Sequence, residues 1–162
     1  MRRIRLLSIA ALIAAVACGG SDSSSVTGST NNGSTSPMTA SVGGTAWTGT
    51  GTGVSYKNNV LSFTGVDIGS GTSITVATTA AGPGTYSLAF ANANSGFAIV
   101  AATGSQTWTT LVTGGTGSLV ITTLTANHLV ATFSFDAQPA SGTTGVKHVT
   151  NGKIDMTFGA AP

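Results

Sequence analysis

The sequence predicts an all-β domain, an antiparallel β-sandwich or partly closed barrel of about ten short strands. Three observations predict it. Thr, Ser, Gly and Ala dominate the chain, and the β-branched Thr fits a pleated surface. From Met38 onward, apolar and polar residues alternate at period two, the spacing that sends successive side chains to opposite faces of a strand. Turn residues, many of them among the 23 glycines, recur about every 8–12 positions, as in sandwiches and barrels.

A first hairpin is expected from Thr39–Val42 and Ala46–Thr48, turning at Gly43-Gly44. A second joins Val54–Lys57 to Val60–Thr64 through Asn58-Asn59. Ser73–Thr78 comes next and stops at Gly82-Pro83-Gly84. Thr85–Phe90 places Tyr86, Leu88 and Phe90 on one face, and Gly96–Ala102 places Phe97, Ile99 and Ala101 together. Trp108–Val112 and Ser118–Thr122 flank a turn at Gly114-Gly115. The clearest strand is His128–Asp136, where Leu129, Ala131, Phe133 and Phe135 alternate with Val130, Thr132, Ser134 and Asp136. Val146–Thr150 and Lys153–Phe158 form the last pair, joined at Asn151-Gly152. Asn-Gly between alternating runs is the strongest short hairpin signal. The faces opposite the core are Thr/Ser-rich rather than charged.

The chain ahead of this domain divides in two. Residues 1–17 carry the marks of an export signal: a basic start (Met1–Arg5), an apolar run (Leu6–Val16) and small residues before a cut. A membrane-spanning helix needs about 20 apolar residues, more than this run holds. The stretch Ala15-Val16-Ala17-Cys18 resembles the bacterial lipobox, matching at Ala17 and Cys18 and departing at Ala15, where the pattern prefers Leu. The resemblance implies a diacylglycerol on the Cys18 thiol and cleavage just before it. Gly19 stands where a retention-type Asp is absent, which by the same analogy favours the outer membrane. Each buried lipid methylene contributes about 0.8 kcal/mol, and stable anchoring takes more than one chain. Residues 18–37, Ser/Thr/Gly/Asn-rich with a single Val, cannot bury apolar area and are expected to form a disordered tether. Its 19 residues after Cys18 would span roughly 24 Å. Residues 38–162 remain as the single all-β domain.

Charge bears on partners. Arg2, Arg3 and Arg5 account for the formal +2 of the whole chain, and all three lie in the export signal. From Cys18 onward the chain keeps Lys57, Lys147 and Lys153 against Asp22, Asp67, Asp136 and Asp155, a formal net charge of −1. Nucleic acid is therefore not an expected partner, since no basic patch is left to neutralise phosphates. Cys18 is the one cysteine, so an intrachain disulfide is impossible.

The order of motifs resembles a bacterial lipoprotein domain family known only as a domain of unknown function. Its short strand, Gly turn and Trp are matched by Ala40-Ser41-Val42-Gly43-Gly44-Thr45-Ala46-Trp47. A central Gly-Thr-Tyr-x-Leu is matched by Gly84–Leu88, and a Gly-x-Leu-x-Ile-Thr by Gly117–Thr122. Thr132-Phe133-Ser134-Phe135 supplies its Thr-Phe-x-Phe strand, and Val149–Asp155 its closing Asn-Gly segment. The resemblance implies a surface or periplasmic lipoprotein and brings no activity or functional residue with it.

Catalysis has little to work with. A Ser-His-Asp triad needs its three groups in contact; His128 and Asp136 share one side of a strand eight residues apart, roughly 26 Å. His148 is left to approach either from another strand. Asp67, Asp136 and Asp155 read as turn or surface residues rather than paired catalytic carboxylates. Two histidines and Cys18 do not make a zinc site, and no Asp-rich loop exists for calcium. The runs Gly49–Gly53 and Gly114–Gly117 precede no helix and so are not phosphate loops. No cofactor is expected. Trp47, Trp108, Tyr56 and Tyr86 are either core anchors or a stacking surface for a glycan, with Trp108, set among Gln106, Thr107, Thr109 and Thr110, the candidate for a rim. The leading expectation is a non-catalytic, lipid-anchored envelope domain with a structural or interaction role. A glycan or small-ligand module using Trp108 or Trp47 is the alternative, and an undescribed hydrolase the third.

Overall fold

A computed structural model describes residues 37–92 and 96–159. The expected leader 1–17, Cys18 and the expected tether up to residue 36 lie outside the described residues. Among the described residues, eleven antiparallel strands run in chain order: β1 (Met38–Val42), β2 (Thr45–Gly49), β3 (Gly51–Lys57), β4 (Val60–Asp67), β5 (Thr72–Thr79), β6 (Gly84–Ser87), β7 (Gly96–Ala102), β8 (Gln106–Thr109), β9 (Thr116–Leu124), β10 (His128–Ser141) and β11 (Lys147–Thr157). A short 3-10 turn at Phe90–Asn92 comes after β6. The all-β expectation holds, and of its two forms the structure takes the barrel. One path runs β2-β1-β11-β10-β8-β7-β5-β4-β3, with β9 and β6 added beside β10.

Two features nearly close the sheet. The first is the corner at Thr50. There β2, paired with β1, gives way to β3, paired with β4. The Thr50 N–H donates to the Val66 carbonyl at 2.9 Å and carries the ladder around the bend. Backbones can meet this closely only where side chains are missing. A Cβ on Gly49 would lie 3.0 Å from the Gly65 Cα, and a Cβ on either glycine would lie 2.7 Å from the Trp47 ring. Trp47 fills the seam that the two glycines open.

The second feature is β10. Along Leu129–Asp136 one of its edges pairs with β9; from Gln138 that edge pairs with β8 instead. Its other edge pairs with β11 from His128 to Ala137. The strand thus belongs to both halves of the molecule, and its length reflects that.

The core lies inside the curl. Leu129, Ala131, Phe133, Phe135 and Ala137 project inward from β10, as the alternation predicts. They meet Leu61 and Phe63 of β4, Ile74 and Val76 of β5, and Val149, Ile154 and Met156 of β11 in one cluster. The Phe63 and Phe133 rings are 5.8 Å apart and tilted, a favourable aromatic arrangement. Each such buried side chain contributes about 1.5–3 kcal/mol relative to exposure.

Both double-residue hairpins near the start form where expected. Gly43 and Gly44 have positive φ, as do Asn58 and Asn59 (51° and 63°), the backbone a tight two-residue hairpin demands.

Three expectations need correction. Asn151-Gly152 is not a hairpin: Lys147–Thr157 is one strand. Asn151, at φ 53°, is the extra residue of a bulge where the β10–β11 register shifts between Phe133 and Phe135. The turn expected at Gly114-Gly115 does form, the Gly115 N–H donating to the Val112 carbonyl at 2.9 Å, but the strands beside it do not pair with each other: β8 pairs with β7 and β10 while β9 pairs with β10 and β6. Gly115 sits where a Cβ would run into the Thr110 backbone. On β7 the inward residues are Ala98 and Val100; Phe97, Ile99 and Ala101 are half-buried on the outer face. Phe90 does not share the buried face of Leu88, since the chain leaves β6 and turns it outward, 44% exposed.

Candidate functional site

The β10–β11 ladder carries on its outer face both histidines of the chain and two of its four aspartates. The register pairs them. Asp136 stands directly opposite His148, and its Oδ1 lies 2.7 Å from the His148 Nδ1. Toward the other end of the ladder, the His128 Nε2 lies 2.9 Å from the Asp155 Oδ1. The distance between His128 and Asp136 along one strand therefore decides nothing, because each finds its partner across the ladder. His148 takes Asp136, one of the two it was left to approach.

Around Asp136 and His148 the three strands β9, β10 and β11 make a small grid. Thr116 of β9 pairs with Asp136, and Asp136 with His148. One row along, Ser118 of β9 pairs with Ser134. Thr150 precedes the bulge on the far side. A surface hollow of about 350 Å³ is lined by Thr116, Ser118, Ser134, Asp136 and Thr150, with Phe135 and Val149 at its floor. The side chains of His148 and Asp136 are 62% and 46% exposed, so the pair meets solvent. The other pair borders a hollow of different character, lined by Pro37, Val130, Thr132, Lys153 and Asp155.

Acid-base catalysis at Asp136 and His148 would need a nucleophile in reach of the imidazole. Ser134 lies two residues from Asp136 on the same strand, about 7 Å away. It sits diagonally from His148, a placement that puts Cα atoms about 7–8 Å apart. Among the described residues, no group of three or more His, Cys, Asp or Glu is placed to hold a metal ion.

The tryptophans correct the stacking expectation. Trp47 is 5% exposed and Trp108 7%. The Trp47 Nε1–H donates to the Thr72 carbonyl at 3.3 Å, and the Trp108 Nε1–H to the Gly145 carbonyl at 3.1 Å. The Lys147 Nζ stands 4.2 Å from the Trp108 ring centroid and caps one face. An open aromatic platform is thus offered by neither ring; both anchor the core. Polar neighbours around Trp108 in sequence misled because Trp108 pairs with Pro139 and Val100, which set its side chain on the inner face while Gln106 stays exposed. Tyr56 and Tyr86 are half-buried, with hydroxyls donating to the Ala80 and Gly82 carbonyls.

Asp67 forms a turn. Its Oδ1 accepts from the Gly69 N–H at 2.9 Å and its Oδ2 from the Ser70 hydroxyl at 2.6 Å. The Ser70 hydroxyl, more than any other contact, holds the Asp67 carboxyl below the usual carboxylate range. That is the turn role expected of it. Cys18 lies outside the described residues.

Comparison with known families places the chain. The model of the family described as Domain of unknown function (DUF6252) matches residues 34–155. The chain belongs to this family. The match covers nearly the whole barrel, including β10, β11 as far as Asp155, and both His–Asp pairs. No curated protein and no solved structure shows significant similarity to it.

Proposed function

We propose that this member of the family is an exported lipoprotein, held at the cell envelope through a lipid on Cys18, whose barrel serves a non-catalytic structural or interaction role. The position of the one cysteine carries the reading: it stands at residue 18, just after a basic start and an apolar run, and nowhere else in the chain. The family match begins at residue 34, and the first strand at Met38. A tether-like composition thus fills the interval between the cysteine and the domain. The membrane is the expected partner through Cys18, with the outer membrane favoured by Gly19. A non-catalytic role is supported by the contacts of His148: its Nδ1 lies 2.7 Å from the Asp136 Oδ1, and among the described residues no hydrogen bond joins its ring to a serine or threonine hydroxyl.

Cys18→Ser should move the protein from the membrane fraction to the soluble fraction and abolish labelling by a radiolabelled fatty acid. Unchanged membrane partitioning of that variant would remove the anchor.

A further inference from the structure

We propose that the hollow beside Asp136 and His148, on the outer face of β9–β11, binds a neutral polyhydroxylated ligand, a short segment of glycan. This deepens the interaction role proposed above and rests on it.

The side chains around the hollow select the ligand. Thr116, Ser118, Ser134 and Thr150 present hydroxyls, each able to donate one hydrogen bond and accept two. Asp136 contributes a second carboxylate oxygen beyond the one that faces His148. A carboxylate accepts only, so its natural partners are donors such as the paired hydroxyls of a sugar ring. His148 stands beside the hollow rather than in its lining, with its Nδ1 2.7 Å from Asp136, so a ligand on the Asp136 carboxylate is sensed by the imidazole. Acidic ligands fit badly, because the hollow is lined by Asp136 and by no lysine or arginine. A metal ion asks for three or four protein ligands, and the grid supplies Asp136 and His148.

Shape agrees with chemistry. A volume of about 350 Å³ falls within the usual range of small-ligand sites, about 300–1,000 Å³. The lining side chains stand on strands rather than loops, and β10 is hydrogen-bonded on both edges here. Rigid elements hold polar groups in place better than loops do. The hollow at Asp155 lacks this setting: Thr132 is its one hydroxyl, beside Lys153, Val130 and Pro37.

The two histidines make the test, since each gives its own imidazole proton resonance in NMR. The full mature protein in detergent is titrated with cellotriose, maltotriose, mannotriose and chitotriose, and with trigalacturonate as the acidic counterpart. Additions reach about 20 mM, enough to fill even a millimolar site. At least one neutral trisaccharide should shift the His148 resonance saturably and leave His128 in place. Asp136→Ala should weaken that binding about tenfold or more. Ser134→Val, which fills the hollow with a residue at home in strands and leaves the Asp136–His148 pair intact, should weaken it comparably. A flat titration with every sugar, equal shifts at both histidines, or preference for trigalacturonate would each overturn the proposal. The readout does not depend on the lipid, so its failure leaves the anchor standing, and loss of the anchor leaves this result intact.

Discussion

The ring of Phe133 on β10 lies against Gly152 on β11, its register partner, so closely that a Cβ on Gly152 would fall among the ring carbons. The glycine is the room the ring occupies, one residue past the bulge at Asn151. Gly152→Ala is expected to displace Phe133 from Phe63 and Phe135 and to destabilise the domain by about 1–3 kcal/mol, the usual cost of overpacking a core. Gly53→Ala is the control, because a Cβ there meets nothing within 4 Å. It should change stability by less than about 0.5 kcal/mol. Urea denaturation of the two variants checks the contrast.

At the barrel seam, Trp47 occupies the space between Gly49 and Gly65. Trp47→Ala should cost about 3–5 kcal/mol, as large-to-small changes of buried aromatics do. Gly65→Ala should also destabilise, since its Cβ would lie 2.7 Å from the Trp47 ring and 3.0 Å from the Met38 Cε. Thermal unfolding measures both.

Lys147 and Trp108 give a milder effect. Lys147→Met keeps the apolar stem and removes the ammonium 4.2 Å from the ring. A loss of about 0.5–1 kcal/mol is expected, together with a change in tryptophan emission. The sugars that shift His148 should leave that emission unaltered, because the Trp108 ring is only 7% exposed.

Asp67 supplies a pH dependence of known sign. The Ser70 hydroxyl above all lowers its pKa below the ordinary 3.8, outweighing the desolvation that raises it, with the backbone amides of Gly69 and Ser70 adding to the lowering. A carboxyl lowered on folding stabilises the fold above its unfolded pKa, and that stabilisation is lost as pH falls through the folded value. The loss therefore sits below pH 3.8. Ser70→Ala should raise the Asp67 pKa toward the ordinary value, as read by an NMR titration of its carboxyl carbon.

The parts of the fold that sequence alone reveals are those set by local alternation. Leu129 to Phe135 read correctly because every second residue is apolar and the rest are mostly polar. Gly96–Ala102 did not, because Phe97, Ile99 and Ala101 are as apolar as Ala98 and Val100, so parity carries no information there. Asn151-Gly152 misleads for a different reason. A left-handed Asn before Gly serves a two-residue turn and a bulge equally well, and the long-range pairing of β10 with β11 decides between them. The same pairing creates the Asp136–His148 contact. The turn-rich stretch Ser141-Gly142-Thr143-Thr144-Gly145 signals that the chain turns back there, but read as a symmetric loop it sets Asp136 opposite Thr150; the observed register, two residues away, is what brings Asp136 opposite His148. The hydroxyl grid needed the register of a third strand, β9.

The most direct measurement is intact mass and N-terminal peptide analysis of the protein purified from its native membranes. The expected chain begins at Cys18, with the mass of a diacylglycerol thioether on its sulfur. A chain that still begins at Met1, or an unmodified thiol at position 18, would contradict the lipoprotein assignment.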